Sequence, residues 1–240
     1  MSKLNTLFRK VKPGGPVTSQ DLRALGISAD LAVHYVRAGW LTRLARGVFA
    51  RPDAPLDLHL SLRLLERRVK GLHVGGKTAL DWHGVRHHVA QQPQLQLYGW
   101  ASGQLPAWFT EHFPGTYHQL RLFDESPHAP LRVSRLQRQP EGPLVSSPER
   151  AVLELLSNVG VRQPLQEARE LVEGTPSLRA SVLQSLLVRC RQVKTVRLCL
   201  TLGRELGLPW AAKLDPTSLP TGSALRWVGR SKEGLLVLKA

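Results

Sequence analysis

The sequence offers several residue groups whose types and spacing could do chemistry. Gly71-Leu72-His73-Val74-Gly75-Gly76-Lys77-Thr78 satisfies the pattern G-x-x-x-x-G-K-[ST], in which backbone N–H groups and a lysine cradle phosphates. That chemistry requires an apolar strand immediately upstream. LRLLERRVK stands there instead, with the spacing of an amphipathic helix, and Arg121 interrupts the Leu122-Phe123-Asp124 run that could supply a second acidic group. His73, His83, His87 and His88 invite a metal reading, but Gly84 breaks any helix that would align His83 with His87, and no carboxylate or cysteine completes a shell. Asp124-Glu125, the adjacent acidic pair, lacks the further carboxylates and lysine that a metal-dependent nuclease would use. Cys190 and Cys199 lie in leucine-rich helical segments and read as buried thiols. No Ser/His/Asp arrangement suggests itself. The expectation is a protein that is not an enzyme, with no catalytic residue, metal or cofactor.

Binding chemistry is better represented. The chain of 240 residues carries 33 Lys+Arg against 18 Asp+Glu, a formal net charge of +15. Residues 1–52 hold Lys3, Arg9, Lys10, Lys12, Arg23, Arg37, Arg43, Arg46 and Arg51 against Asp21 and Asp30, so 9 − 2 = +7 falls in the first fifth. A second concentration, Arg179, Arg189, Arg191, Lys194, Arg197 and Arg204, contains no acid. It reads either as a solvated helix face or as a second polyanion contact. Charge of this size points to a polyanionic partner. No segment reaches the roughly 18 consecutive apolar residues of a membrane span, and the N-terminus lacks the apolar core of a secretory signal. Two cysteines exclude a disulfide scaffold. A soluble, cytoplasmic protein is expected.

The elements that would position the basic groups follow from local signals. Leu4, Leu7, Phe8 and Val11 recur at helical spacing over residues 2–12, and Pro13-Gly14-Gly15-Pro16 ends that run. Thr18 with Asp21 makes a capping box for a second helix that Gly26 closes. Ser28 caps a third helix ending at Gly39, and a glycine turn at Gly47 joins two short strands, Trp40–Leu44 and Val48–Arg51. Three helices and a basic hairpin make a winged helix-turn-helix. On a 100° projection Leu31, Ala32, Tyr35 and Val36 share the inner arc, and Asp30, Val33, His34 and Arg37 the outer one. Arg37 can pair with guanine, His34 can donate to a base or phosphate, and Val33 suits a thymine methyl. Ser28 at the helix start would face a phosphate, Arg43 and Arg46 flank the wing tip, and Lys10 and Lys12 add sequence-neutral attraction.

Beyond residue 52 the spacing predicts a helix at 56–69, a strand at His73-Val74, a short helix across Ala79–Trp82, and strands at Leu95–Tyr98, His118–Phe123 and Leu131–Leu136. Four helices follow from Ser147, then a terminal hairpin with strands at Ala224–Val228 and Leu235–Lys239. The fold expected is α+β: a winged helix-turn-helix at 1–52, then a mixed α/β domain at 53–240 with a helical second half.

Val17–Arg51 also resembles the N-terminal domain of AbiEi-type antitoxins, through Gly26-Ile27-Ser28, Gly39-Trp40-Leu41 and Arg46-Gly47-Val48-Phe49. Thr78-Ala79-Leu80-Asp81-Trp82-His83-Gly84 and Ser147-Pro148-Glu149-Arg150-Ala151-Val152-Leu153-Glu154-Leu155-Leu156 resemble two further segments of that family. Phe49 stands where the family more often has tyrosine. The resemblance implies a transcriptional autorepressor of a type IV toxin–antitoxin system, involved in phage resistance. It also implies duplex DNA of its own promoter and a nucleotidyltransferase toxin as partners, and no nucleotide role for Gly71–Thr78. The residues alone leave two other readings open: a nucleic-acid-processing enzyme targeted by a winged helix, and a protein-interaction module that does not bind DNA.

Overall fold

The structure, a computed structural model, describes residues 2–85, 94–126 and 130–223, and the backbone of 227–231 and 234–238. Two apolar clusters organise it. The first is small and belongs to the N-terminal helices: Leu7, Val11, Leu22, Ile27, Ala32, Tyr35, Leu41 and Phe49. Around it pack α1 (Lys3–Lys10), α2 (Ser19–Ala24) and α3 (Ala29–Arg37). Each starts where a hydroxyl can take up an orphan N–H: Ser2 for α1, Thr18 for α2, Ser28 for α3. The Thr18–Asp21 capping box is reciprocal, with Thr18 Oγ1 accepting from Asp21 N–H at 3.1 Å and Asp21 Oδ2 accepting from Thr18 N–H at 2.8 Å. Gly26 and Gly39 end their helices at φ of +78° and +75°, the left-handed region in which a side chain is strained.

The wing is β2 (Thr42–Ala45) and β3 (Val48–Ala50), turning at Gly47 with φ +75°. A two-residue strand, β1 (Val17–Thr18), pairs with β3 and completes a sheet of order β1-β3-β2. Two residues carry no periodicity, so sequence patterning does not reveal this strand. Trp40 stands outside the wing strands, its N–H bonded to Tyr35 O at 2.8 Å.

The second cluster fills the remainder, a body built on α4 (Leu58–Glu66), β4 (His73–Val74), α5 (Gly76–Trp82), β5 (Leu95–Gly99), α6 (Ala107–Thr110), β6 (Gly115–Gln119), β7 (Val133–Arg135) and β8 (Leu144–Ser146). Its sheet has the order β6-β5-β4-β8-β7, with β5–β6 and β4–β8 parallel and the other pairs antiparallel. The helices α7 (Pro148–Ser157), α8 (Leu165–Glu173), α9 (Ala180–Val188) and α10 (Val193–Glu205) cover it. In α7 every residue from Glu149 to Ser157 is buried, which makes it the axis of the body. The hairpin β9 (Trp227–Ser231) and β10 (Gly234–Leu238) lies beside α10.

The α+β architecture and the helical second half agree with the sequence pattern. Several details differ. The strand expected at His118–Phe123 begins at Gly115 and stops at Gln119, because its register on β5 runs from Leu95↔Gly115 to Gly99↔Gln119; Leu122 and Phe123 turn into the core. Strand β8 and the single turn of α6 were not anticipated, being three and four residues long. Cys190 is buried but follows α9 and pairs with Phe123 as an isolated bridge, so only Cys199 is helical. The terminal hairpin is described over Trp227–Ser231 and Gly234–Leu238; Ala224 and Lys239, the outer ends of the expected strands, lie outside the described residues.

Candidate nucleic-acid interface

All eight residues singled out for DNA contact are solvent-exposed: Lys10, Lys12, Ser28, Val33, His34, Arg37, Arg43 and Arg46. Burial of Ala32 and Tyr35 turns Val33, His34 and Arg37 outward as one face of α3, and Val33 remains 44% exposed. An α-helix with its side chains is about 10–12 Å across, which a major groove roughly 12 Å wide admits. His34 and Arg37 occupy its last turn, where the helix dipole favours positive charge. Ser28 is committed locally: its hydroxyl accepts from Leu31 N–H at 3.2 Å, and Asp30 in the same turn would repel a phosphate. Arg43 and Arg46 project from the hairpin, with a register shift between Arg43 and Ala45 adding twist there. Lys10 and Lys12 stand apart, at the end of α1.

Not every cation of the segment is available. The Arg51 side chain turns inward, donating to Phe8 O at 2.9 Å and Val11 O at 3.2 Å, with its guanidinium 4.4 Å from the Phe8 ring centroid and paired with Asp53. It satisfies carbonyls at the end of α1. The other eight basic groups of residues 1–52 are exposed. Pattern reading passed over Trp40, which is 44% exposed between α3 and the wing and edge-on to Phe8 at 5.9 Å. Only the Gly39-Trp40-Leu41 motif could have drawn attention to it.

The second basic concentration divides: Lys194 and Arg197 turn inward, whereas Arg179, Arg189, Arg191 and Arg204 stay exposed. Lys194 is half-buried and donates to Ser157 O at 2.8 Å and Val159 O at 2.9 Å, capping the end of α7, and burial lowers its pKa. Arg197 is buried and donates to Thr221 O at 2.7 Å. Arg179 forks onto Glu149 at 2.8 and 3.1 Å, and Arg191 meets Asp124 at 2.8 Å. Only Arg189 and Arg204 of the six are exposed with no such contact among the described residues.

The phosphate-loop pattern has a structural explanation. The N-terminus of α5 does receive an anion, and that anion is internal. Glu154 Oε2 accepts from Gly76 N–H at 3.2 Å and Ser146 Oγ–H at 2.8 Å, while Oε1 faces His73 Nε2 at 2.8 Å and Arg150 Nε at 2.6 Å. His73 Nδ1 lies 2.7 Å from Gly71 O, so both ring nitrogens face oxygen atoms. Arg150 continues to Glu125 at 2.6 and 2.9 Å, so Arg150 bridges two buried carboxylates, one of which also meets His73. Burial alone would raise the Glu154 carboxyl; the charges of His73 and Arg150 and their hydrogen bonds outweigh it and hold it at about 2. The same balance, with Arg179 as partner, holds Glu149 at about 2. A Cβ on Gly75 would sit 2.2 Å from Glu154 Oε2, so the glycines serve close approach of the protein's own carboxylate. Lys77 pairs with Glu167 at 2.7 Å. Of the histidines, His83 bonds Ser146 O at 2.9 Å, and His87 and His88 lie outside the described residues. Among the described residues no group of three His, Cys, Asp or Glu could hold a metal ion.

A three-helix winged domain with an exposed outer face on α3, joined to an α+β body whose central charges are paired with one another, defines a winged-helix protein. The chain belongs to the AbiEi family, transcriptional regulators that are the antitoxins of type IV toxin–antitoxin systems. Residues 1–91 match the family described as transcriptional regulator, AbiEi antitoxin N-terminal domain, and residues 92–239 match transcriptional regulator, AbiEi antitoxin, type IV TA system. The fold is similar to the crystal structure of the RV2827C protein from Mycobacterium tuberculosis, with a TM-score of 0.59 at 16% identity, covering 94% of this chain and 87% of that one. No curated protein matches the sequence. No helix among the described residues is long and apolar enough to cross a membrane.

Proposed function

We propose that this antitoxin represses its own promoter by sequence-specific binding of duplex DNA, and that its body counteracts a nucleotidyltransferase toxin encoded beside it. The observation that carries the first half is the outward face of α3, Val33-His34-Arg37, beside a wing bearing exposed Arg43 and Arg46. Arg37 and His34 read base edges and Val33 contacts a thymine methyl. Arg43, Arg46, Lys10 and Lys12 hold phosphates, and Ser28, whose hydroxyl accepts from Leu31 N–H and can still donate its own proton, adds a weaker contact that Asp30 opposes. Trp40 packs against the sugar–phosphate backbone where α3 gives way to the wing. The toxin and its chemistry come from the family resemblance. Residues 1–52, which hold the whole of the first apolar cluster, do the reading, and residues 53–240 carry neutralisation and no enzymatic activity.

Binding of the full chain to its promoter, followed by anisotropy on operator and random duplexes, tests the reading. Arg37→Ala should cost about 1–3 kcal/mol on the operator and little on random DNA, whereas Arg46→Ala should weaken both alike. Equal losses on the two duplexes for Arg37→Ala would remove it from base readout.

A further inference from the structure

The sheet of the body, of order β6-β5-β4-β8-β7, ends in two edges of different character. β7 is three residues long, follows Arg132 at φ +56°, and carries Arg135. A short strand, an irregular entry and basic side chains protect an edge against pairing with another chain. Strand β6, Gly115-Thr116-Tyr117-His118-Gln119, has none of these devices. It contains no Lys, Arg, Asp, Glu or Pro, and its register on β5 is unbroken from Gly115 to Gln119.

The bonds to β5 show which backbone groups of β6 are left over. Leu95 N–H donates to Pro114 O and Leu120 N–H donates to Gly99 O, both at 3.0 Å. In a parallel pair alternate residues bond to the same neighbour, so Thr116 and His118 complete that ladder. Gly115, Tyr117 and Gln119 therefore direct both N–H and C=O away from β5. Among the described residues nothing bonds to these outward groups. Gly115 and Tyr117 are half-buried and Gln119 is exposed.

We infer that β6 is a self-association edge, on which two copies of this chain pair antiparallel about a twofold axis and join their sheets. The outward residues are centred on Tyr117, so the register closes on itself. Tyr117 faces the second copy's Tyr117, Gly115 faces its Gln119, and each facing pair exchanges two N–H···O bonds.

Charge favours a second copy at this edge. At a net +15 two chains repel over most of their surface, and β6 is a stretch without charge. Exposed Glu111 precedes it, and exposed Arg121, with its guanidinium 5.2 Å from the Trp100 ring centroid, follows it. Antiparallel pairing sets the acidic end of one strand beside the basic end of the other. The reading domain stays free, because α4, which meets α2 through Arg67 and Asp21, reaches the opposite edge through Glu66 and Arg135 at 3.1 Å. The inference requires no DNA and stands apart from the promoter reading.

Sedimentation equilibrium of the full-length wild type, Q119A and Q119P tests it. Q119A keeps the outward N–H. Q119P removes that donor and sets its ring against the facing carbonyl, while the bonds to β5 persist. Wild type and Q119A should shift with concentration toward twice the mass of one chain, and Q119P should associate at least about tenfold more weakly. Hydrogen exchange over residues 115–119 should slow as wild-type concentration rises, and should not in Q119P. Matching thermal melts exclude a folding cause. Should Q119P melt early, charge decides: E111R and R121E should each weaken association, and E111R/R121E should restore it. A wild type that stays monomeric, equal association by all three proteins, or a charge swap that fails to restore would overturn the inference. So would protection of residues 115–119 that appears only when toxin is added, since the edge would then belong to the toxin.

Discussion

At the scale of single residues, the most consequential are Glu154 and Arg150, both within the Ser147–Leu156 segment that carries the resemblance. They are buried charges, and buried charges persist only when paired and fully hydrogen-bonded. Glu154 has four partners, one each from β4, α5, β8 and α7, so this one carboxylate ties those elements together. Its depressed pKa fixes a pH dependence. A carboxyl whose folded value is about 2 against an ordinary 4.5 stabilises the fold fully above about pH 4.5, and that stability is lost as pH falls toward 2. Glu149 shifts the same way and adds to the same window. Thermal melts should therefore be nearly flat across pH 5–7 in these two groups' contribution and fall steeply between about 4.5 and 2. Glu149→Gln should start from a lower melting temperature and fall less steeply; an unchanged profile would show that the Arg179 pair contributes nothing.

At the scale of elements, legibility followed length and periodicity. Helices α3 and α7 announce themselves through caps and apolar spacing and α10 through apolar spacing, and the outward face of α3 followed directly from its inner arc. Strands of two or three residues, β1 and β8, have no period to detect, and β6 was displaced because its register on β5 decides where it begins. Two cations of the second basic stretch, Lys194 and Arg197, were not placed by spacing for a different reason. Spacing shows which residues share a helix side, not that Lys194 and Arg197 face backbone carbonyls of neighbouring segments. The joint between β4 and α5 was legible as a strand–helix turn, but the occupant of its N-terminus, 78 residues downstream of Gly76, was not. This joint yields its own prediction. Gly75→Ala places a methyl group against Glu154 and Tyr98 inside a filled site and should cost at least the ~3 kcal/mol at the top of the usual overpacking range. Gly26→Ala, where a Cβ meets open space and only the left-handed backbone objects, should cost about 1–2 kcal/mol. Urea midpoints measure both, and equal losses would mean that the close approach to Glu154 is not what Gly75 provides.

At the scale of the whole molecule, the two clusters are separate cores but not separate bodies. Val48, on the wing, is buried in the cluster of the body, and Leu44 and Ala45 pack against it. Asp21 is paired with Arg67, and Asp57 N–H bonds Gly14 O at 2.9 Å. The division of labour between reading and neutralisation is therefore best tested without cutting the chain. Full-length protein carrying Arg37→Ala and Arg46→Ala should lose promoter control yet still rescue growth when co-expressed with the toxin from the adjacent gene. Loss of rescue at normal protein levels would show that the reading face also takes part in neutralisation.

The position of Val48 has a consequence for how such proteins can diversify. A wing hairpin whose inner side chain completes the neighbouring core cannot be exchanged as an independent cassette. A reading domain transplanted from a relative would arrive with a side chain shaped for a different cavity. A change in the inner side chain of the hairpin has to be matched in the core of the body, whereas the exposed positions of α3 can change without it.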